Sequence, residues 1–336
     1  MSLRLSLRRE KPAVERREQL DVAIVGGGPA GVAAAIYSSR FLLKTAVLTK
    51  VFGGLLNETE WIDDYPGLLR IKSSELVQLF RKHLELFGVD VRTGFEVETI
   101  ERSGGLFKIV SSRGEVVEAK AVILAIGLRR RRLNVPGEAE FAGRGVSYCS
   151  VCDAPLFRGR KSVAVVGGGD AAVEGALILS GYVEKVYLVH RRREFRAKPA
   201  LVKEALARGN IEPVLSSVVT EILGDASVKA VRVKSLETGE EKILQVDGVF
   251  VEIGFEPPVD FLRRIGVELD SEGYVKVDEW MRTNIPGLFA AGDVISLWKG
   301  FKQVINAAAT GAIASYSAYQ YLLERGMLEH HEQKER

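Results

Sequence analysis

The segment LDVAIVGGGPAGVAAAIYSSR, residues 20–40, decides the fold because the chain repeats it as KSVAVVGGGDAAVEGALILSG, residues 161–181. Each copy starts with an apolar, β-branched run, passes through three glycines and continues into an alanine-rich stretch typical of a helix. A second apolar run follows each copy, at residues 45–49 and 185–190. This order predicts two βαβ units with buried parallel strands, an α/β fold made of two Rossmann-like dinucleotide-binding domains.

The chain also predicts antiparallel strands beside each unit. Residues 89–112 and several stretches after residue 210 are rich in β-forming residues and are separated by Gly and Asp turns. We therefore expect each dinucleotide-binding unit to carry its own β-rich addition.

Composition restricts the function classes. The 336 residues include 46% hydrophobic residues and carry a formal net charge of only +3, which is typical of a folded protein and gives no general nucleic-acid footprint. No apolar run approaches the roughly 20 residues of a membrane span, and the start lacks the apolar core of a signal peptide. We expect a cytoplasmic protein without a membrane or nucleic-acid partner, with residues 1–18 as a basic, solvated tail. Abundant charges with few Met and Cys resemble the composition of thermophile proteins.

The first glycine-rich turn, GGGPAG, has the pattern of a dinucleotide site. Gly26 permits the tight turn, Gly28 lets the backbone approach a pyrophosphate, and Gly31 lets the helix pack against the strand. The helix N-terminus would present its N–H groups to the phosphates. Thr49 and Lys50 end the second strand without an acid for a ribose, so this position alone leaves the ligand undecided.

The second turn offers more information because its second strand runs into a cluster of arginines. Planar guanidinium groups at this point suit a 2′-phosphate through bidentate hydrogen bonds, which favours NADPH over NADH. The alternative is a solvated basic stretch, the usual role of a charge run. The cluster consists of Arg191, Arg192, Arg193 and Arg196.

A third nucleotide-binding candidate is the apolar strand that ends in Gly292–Asp293. A helix-like segment follows it, so the carboxylate of Asp293 could accept a sugar hydroxyl beside helix N–H groups.

Both cysteines of the chain, Cys149 and Cys152, lie in the stretch YCSVCDAP. Zinc would need four ligands, but the chain has no second CxxC pair and its four histidines lack the spacing of a zinc finger, so we expect no metal. A redox pair fits better, because this spacing allows a reversible disulfide and lowers one thiol pKa. A flavin in the first site could relay two electrons from a nicotinamide to the sulfurs. Asp153 is a candidate proton donor to a thiolate, or alternatively a helix N-cap.

At this point the chain resembles the low-molecular-weight thioredoxin reductases of bacteria and archaea, and CSVCDAPLF is most similar to a crenarchaeal type. The resemblance covers roughly residues 20–325. It rests on an ordered set of motifs: GGGPAG, FGG, YPG, RGVSYCSVCDAP, VVGGGDAAVE, HRRREFRA, EIGFEP and PGLFAAGDV followed by KQVINAAATG.

The resemblance implies a discontinuous FAD domain, residues 19–128 and 255–336, with an NADPH domain inserted between them at residues 129–254. Each domain would be a three-layer ββα sandwich, and the inserted domain would carry the CxxC pair. Family members are homodimers in which the NADPH domain is thought to swing about its two linkers.

The resemblance also implies site residues. Cys152 would face the flavin, Cys149 would attack the partner's disulfide, and Asp153 would be the acid. Implied FAD contacts are Gly26, Gly28, Pro29, Ala30, Gly31, Thr49, Gly53, Gly54, Leu55, Asn57, Asp64, Ala125, Gly127, Gly292, Asp293, Lys302, Gln303 and Val304. Implied NADPH contacts are Gly167, Gly169, Asp170, Ala171, Glu174, His190, Arg191, Arg192, Arg196, Ile253 and Gly254.

Three positions depart from the family pattern. Leu55 stands where Gln is common, Ile126 replaces Thr, and Lys302 replaces Arg. The run Arg129–Arg132 matches no secure family role, and its candidate roles are a solvated face, a linker or a docking patch.

The sequence thus predicts an NADPH-dependent, FAD-containing thioredoxin-disulfide reductase whose partner is a thioredoxin-like or glutaredoxin-like protein disulfide. The alternative on the same scaffold is an FAD-dependent dithiol oxidase or a peroxiredoxin-reducing flavoprotein. Peroxide-reducing relatives carry further thioredoxin-like modules with additional cysteines, which this sequence does not contain. A non-enzymatic nucleotide-sensing or zinc-structured module is the third reading, and only the CxxC pair favours it.

Overall fold

The structure is a computed structural model that describes residues 19–58 and 61–328. The predicted basic tail, residues 1–18, and the last eight residues of the predicted FAD domain, 329–336, lie outside the described residues.

The described residues alternate strands and helices along the chain. In chain order the strands are β1 Gln19–Val25, β2 Thr45–Thr49, β3 Trp61–Ile62, β4 Ile71–Lys72, β5 Asp90–Thr93, β6 Val97–Ser103, β7 Leu106–Ser111, β8 Val116–Leu124, β9 Arg129–Arg130, β10 Val146–Ser147, β11 Ser162–Gly167, β12 Lys185–Val189, β13 Ile211–Val214, β14 Ser217–Gly224, β15 Val228–Ser235, β16 Glu241–Gln245, β17 Gly248–Glu252, β18 Phe255–Glu256 and β19 Leu288–Ala290. The α-helices are α1 Pro29–Arg40, α2 Ser73–Leu86, α3 Ser150–Asp153, α4 Asp170–Ser180, α5 Pro199–Ala207, α6 Val259–Arg264 and α7 Val304–Glu324. Short 3₁₀ helices occupy Gly54–Glu58, Ala154–Phe157 and Gly292–Val294.

The first sheet is built from both ends of the described chain. Its order is β5-β2-β1-β8-β7-β6. In addition, β19 pairs in parallel with the C-terminal end of β8. β1 is parallel to β2 and β8, and its residues from Val22 to Val25 are buried on both faces, as expected for a parallel strand covered by helices. Helix α7 packs so closely on α1 that a Cβ at Gly311 would lie 2.1 Å from the Ala30 carbonyl oxygen.

The second sheet lies in the intervening chain segment and has the order β10-β17-β11-β12-β13, with all pairs parallel. One buried apolar cluster lies between this sheet and the antiparallel sheet β14-β15-β16. Another lies between it and helices α4 and α5. The three layers, sheet, sheet and helices, confirm the predicted α/β fold class with two Rossmann-like units.

Two chain segments that lie side by side in space connect the region of the first sheet to the region of the second sheet. β9 pairs antiparallel with β18, with Arg130 opposite Phe255 and Arg129 opposite Glu256. Part of the arginine run, Arg129–Arg130, therefore forms one strand of a two-stranded linker, which is one of the roles that the sequence left open for the run. Residues 128 and 255, which we keep as proposed domain limits, flank or belong to this linker.

Candidate active site

The first glycine-rich turn joins β1 to α1 through backbone positions that exclude a side chain. Gly26 has φ +114°, and a Cβ there would lie 2.2 Å from the Ala125 carbonyl oxygen. At Gly31 a Cβ would lie 1.9 Å from the Gly26 carbonyl oxygen. Gly28 differs, since the nearest atom to its Cβ would be 4.0 Å away, which leaves open space in front of the first turn of α1. The turn thus has room for a phosphate at a helix N-terminus.

A second loop packs beside this turn. The Gly53 N–H donates to the Gly27 carbonyl at 2.9 Å, and the Asn57 side chain donates to the Phe52 carbonyl at 2.9 Å. The hydroxyl of Thr49 accepts from the Gly27 N–H at 3.1 Å and is buried. Asn57 and Thr49, both predicted FAD contacts, therefore also hold the loop in place.

Asp293 reaches the same region from β19. It lies in the 3₁₀ helix that follows this strand, and burial raises the pKa of its carboxyl, while the charge of Lys302 opposes that rise. The Lys302 ammonium lies 4.4 Å from the centre of the Tyr274 ring. Gln303 is the N-cap residue of α7 and Val304 its first residue.

The second glycine-rich turn repeats the geometry in the other sheet. Gly167 has φ +156°, and a Cβ there would lie 2.3 Å from the Glu252 carbonyl oxygen. Gly169 is the N-cap residue of α4, and Asp170 opens that helix. Burial, together with the nearby charge of Asp170, raises the pKa of Glu174 on the same helix. Ala171 is exposed beside them.

His190 lies under this turn, and its ring would be 2.2 Å from a Cβ at Gly168. The residue is buried and its Nε2 has no hydrogen-bond partner among the described residues. Burial lowers the pKa of His190, and the charges of Arg196 and Arg192 lower it further, so the ring is neutral at pH 7. An unpartnered polar atom at this position fits a site for a polar ligand.

The arginines after β12 are exposed. Arg193 pairs with Glu237 at 2.8 Å, but within residues 19–58 and 61–328 no ion pair engages Arg191, Arg192 or Arg196. Three guanidinium groups thus remain available for an anion such as the 2′-phosphate of NADPH.

Cys149 and Cys152 form a disulfide with a Cα–Cα distance of 5.3 Å. Cys149 is the N-cap residue of α3, and its sulfur accepts from the Cys152 N–H at 3.2 Å. Asp153 accepts a hydrogen bond from the Ser147 hydroxyl at 2.7 Å. Asp153 stands at the N-cap position of the next 3₁₀ helix but makes no capping hydrogen bond there, so the proton-donor role remains open.

One cavity of about 750 Å³ joins these parts. This volume is in the usual range for a ligand site of some 300–1,000 Å³. Predicted residues from three groups line it: Pro29, Leu55, Asp64, Asp293, Lys302, Gln303 and Val304 from the FAD set, Ala171 and Glu174 from the NADPH set, and Cys149 from the redox pair. The other predicted residues do not line it. They are Cys152 and Asp153 of the redox segment; Gly26, Gly28, Ala30, Gly31, Thr49, Gly53, Gly54, Asn57, Ala125, Gly127 and Gly292 of the FAD set; and Gly167, Gly169, Asp170, His190, Arg191, Arg192, Arg196, Ile253 and Gly254 of the NADPH set.

Sequence reasoning missed five charged or hydroxyl-bearing residues of the cavity wall: Glu58, Asp63, Arg130, Ser150 and Glu252. Ser150 and Glu252 lie within quoted motifs and Arg130 within the run Arg129–Arg132, but spacing alone could not show which of these side chains points inward.

Two findings concern ligands and membranes. Among residues 19–58 and 61–328, no three His, Cys, Asp or Glu side chains are grouped so that they could hold a metal ion. In the same part of the chain, no helix has the length and apolar character needed to cross a bilayer.

Residues that follow the two dinucleotide-type turns, Pro29 and Ala171, line one cavity together with Cys149 of the disulfide, and this combination is typical of nucleotide-dependent disulfide oxidoreductases. A family model described as pyridine nucleotide-disulphide oxidoreductase matches residues 20–311. The chain belongs to this family, which uses FAD and a pyridine nucleotide.

Solved structures and curated proteins give two different sets of relatives. The thioredoxin reductase of Lactococcus lactis in its FR conformation is 38% identical with a TM-score of 0.81, and 91% of this chain covers 99% of that chain. The thioredoxin reductase of T. acidophilum is 39% identical with a TM-score of 0.79, at the same coverage of both chains. That of Streptococcus pyogenes is 38% identical at the same coverage, yet its TM-score is 0.58, so relatives at equal sequence distance differ in overall shape.

Curated relatives of this chain include alkyl hydroperoxide reductase subunits F. The Staphylococcus aureus protein is 37% identical over 309 residues, or 92% of this chain, and the Pseudomonas putida protein is 38% identical over 318 residues, or 94%. The chain spans 60% of the length of each.

Proposed function

We propose that this protein is an NADPH-dependent thioredoxin-disulfide reductase. The observation that carries the proposal is the position of the Cys149 disulfide on the wall of a cavity that both nucleotide-site residue sets also line. Support comes from the solved thioredoxin reductases, which this chain covers almost completely at 38–39% identity.

We assign FAD to the first turn and NADPH to the second. The first turn has open space at Gly28 and no acidic residue in the first turn of α1, which suits a pyrophosphate. The second has the exposed Arg191 and Arg192 at the strand end, with no ion pair to other described residues, which suits a 2′-phosphate. When bound, FAD supplies the conversion of a nicotinamide hydride into two electrons for the disulfide.

The chain's own residues then perform thiol–disulfide exchange. Cys149, as a thiolate, attacks one sulfur of the acceptor's disulfide and releases the other sulfur, which takes a proton from Asp153. Cys152 then gives its proton to Asp153 and attacks the Cys149 sulfur, which re-forms the internal disulfide; the remaining acceptor sulfur leaves and takes a proton from solvent, so that the acceptor departs as a dithiol. In the disulfide form the Cys149 sulfur accepts a hydrogen bond from the Cys152 N–H, and a donor at this position would also stabilise a negatively charged sulfur.

A second candidate has its own support. The 37–38% identity to alkyl hydroperoxide reductase subunits F favours a peroxiredoxin as the acceptor. A flavin-dependent dithiol oxidase is the third possibility on this scaffold, and it would need oxygen as the final electron acceptor.

The decisive experiment compares acceptors. The purified, FAD-loaded protein is given NADPH and either an oxidised thioredoxin, a peroxiredoxin with peroxide, or air alone, and NADPH oxidation is followed with oxygen consumption. We expect thioredoxin to give the fastest turnover. Faster turnover with the peroxiredoxin, or a dominant requirement for oxygen, would replace the proposal by the corresponding alternative.

The variant Cys149→Ser separates the two halves of the reaction. We expect it to lose disulfide reduction by about a thousandfold or more, because the attacking sulfur is gone, while NADPH still bleaches the flavin absorbance. Cys149→Ser protein that still reduces thioredoxin would contradict the assigned role.

Several finer features stay predictions. We propose a homodimer, which light scattering of the purified protein would test, together with a cytoplasmic location, a thermophilic source and a crenarchaeal type. The thioredoxin-like or glutaredoxin-like partner is proposed from chemistry alone.

A further inference from the structure

Arg130 differs from the other arginines of the linker. It lies in β9, and its side chain turns inward to the cavity wall, where only 17% of its surface is exposed. Arg129 and Arg131 expose 51% and 52% of theirs. Arg130 is therefore the linker arginine that contacts the interior.

The Arg130 guanidinium bridges two carboxylates from different regions. Its Nε donates to Glu58 Oε2 at 2.7 Å and its Nη1 donates to Glu252 Oε2 at 3.1 Å. The Cζ atom of Arg130 also lies 5.1 Å from the centre of the Phe255 ring. A planar guanidinium presents its N–H donors in a rigid fork, so it fixes the directions of two carboxylates more strictly than the freely rotating donors of an ammonium do.

Glu252 continues the connection to the redox segment. Its other oxygen accepts from both the N–H and the hydroxyl of Ser150, each at 3.0 Å. The Glu252 side chain is only 7% exposed, so its charge depends on these donors and on Arg130. A Cβ at Gly175 would lie 2.5 Å from the Ser150 oxygen, so helix α4 closes this pocket from the other side. Ser150 follows Cys149 directly.

Glu58 continues the connection to the first nucleotide turn. It is the last residue of the 3₁₀ helix Gly54–Glu58. This helix starts next to Gly53, whose N–H is bonded to the Gly27 carbonyl. A continuous set of contacts thus runs from the first glycine-rich turn through Arg130 to Cys149.

The neighbouring arginines make no such connection. Arg129 pairs with Glu256 at 3.3 Å and with Asp260 at 3.8 Å, and Arg131 bonds the Phe255 carbonyl at 3.1 Å. These contacts stay on or beside β18. They provide matched controls of the same charge and in the same strand or next to it.

We propose that Arg130 is a positioning residue that ties the redox segment to the flavin-side loop and stabilises the arrangement in which both line one cavity. The tie holds the two regions through Glu58 and Glu252, and its loss favours arrangements in which they separate. The proposal depends on the proposed function in one respect, that the cavity is the flavin site. Its test does not require the protein to catalyse disulfide reduction.

The test is hydrogen–deuterium exchange on the FAD-loaded protein. In Arg130→Met we expect amide exchange of the segment Ser150–Asp153 and of the loop Gly54–Glu58 to rise by about fivefold, since hydrogen bonds to charged groups exceed neutral ones in strength. Exchange of the buried strand β11 reports whether the variant is folded. Arg129→Met should leave both segments unchanged.

A substitution on the flavin side that changes exchange at the redox segment would show that Arg130 connects the two regions and does not act only on its immediate neighbours. Glu58→Gln removes a charge on the flavin side, and we expect it to raise exchange at Ser150–Asp153 in the other region by about twofold to threefold. In the Arg130→Met background the same change should add nothing, because the connection is already broken. Arg130→Lys should restore protection in part.

Two results would overturn the proposal. The first is unchanged exchange at Ser150–Asp153 in Glu58→Gln, and the second is full additivity of the two substitutions. Failure of the proposed function would appear differently, as absent NADPH-dependent thioredoxin reduction in a protein whose exchange pattern still responds as described.

Discussion

The two glycine-rich turns share a backbone and differ at their ends. Both need glycine at the first position, where a Cβ at Gly26 or Gly167 would lie 2.2–2.3 Å from a carbonyl oxygen of a neighbouring strand. Five residues further on, the first copy has Gly31 and the second has Ala172. The first helix thus approaches its strand too closely for a methyl group, and the second has room for one.

The strand ends differ in charge as well as in packing. Thr49 ends β2 with its hydroxyl bonded to the Gly27 N–H and the Val51 carbonyl, so its polar group is used inside the protein. β12 runs instead into Arg191 and Arg192, which are exposed and form no ion pair with any residue in the described part of the chain. The glycine pattern therefore specifies a phosphate-binding turn, and the residues around it specify the nucleotide.

Changing the residue that lies five positions after the first glycine, Gly31 or Ala172, should have the largest effect. Gly31→Ala places a Cβ 1.9 Å from the Gly26 carbonyl oxygen, a backbone atom that cannot yield easily. We expect a loss of about 3 kcal/mol in the free energy of unfolding and little bound FAD.

The matched change in the other turn is Ala172→Gly. It creates no overlap and should cost only about 1 kcal/mol from helix propensity and lost packing. Thermal unfolding and bound flavin per chain measure both variants. Equal losses in the two turns would show that the packing difference has no energetic consequence.

Removing one unpaired arginine should have an intermediate effect. In Arg192→Ala we expect KM for NADPH to rise about tenfold, because a charged hydrogen bond to the 2′-phosphate is lost, with no change for NADH. Arg193→Ala is the control, since Arg193 already pairs with Glu237. Steady-state kinetics with both nucleotides provide the measurement, and an equal loss for NADPH and NADH would remove Arg192 from the phosphate site.

The smallest effect concerns pH. Because burial and the arginines lower the pKa of His190 in the folded protein, the unfolded chain binds more protons below its ordinary pKa of about 6.5. Stability should therefore fall as pH drops from about 6.5 towards the lowered value. His190→Gln should make the melting temperature of the apoprotein depend less on pH between pH 7.5 and pH 5.5. No such dependence is expected from Thr49, the residue at the end of β2, because its hydroxyl does not titrate in this range. An unchanged slope would mean that His190 is not the group responsible.

The fold could be predicted almost completely from the repeat. Residues 20–40 and 161–181 specified two parallel βαβ units because apolar β-branched runs, glycines and alanine-rich helices are local signals. The β-rich additions after residue 89 and after residue 210 also lie where the sequence placed them. The candidate site residues, such as Gly28, Asp293 and Cys149, could be named from the sequence because they lie in short motifs, and their contacts with the nucleotides stay predictions.

The sequence by itself determined the two nucleotide turns, the cysteine pair and the arginines after β12, because each depends on neighbours within a few residues. Only the tertiary structure decided that Cys149 shares a cavity with Asp293 and Glu174, and that Arg130 bridges Glu58 and Glu252. These residues are far apart in the chain, and nothing in local spacing records which side chain of an arginine run turns inward. Long-range packing of the two sheets around one cavity supplies that information.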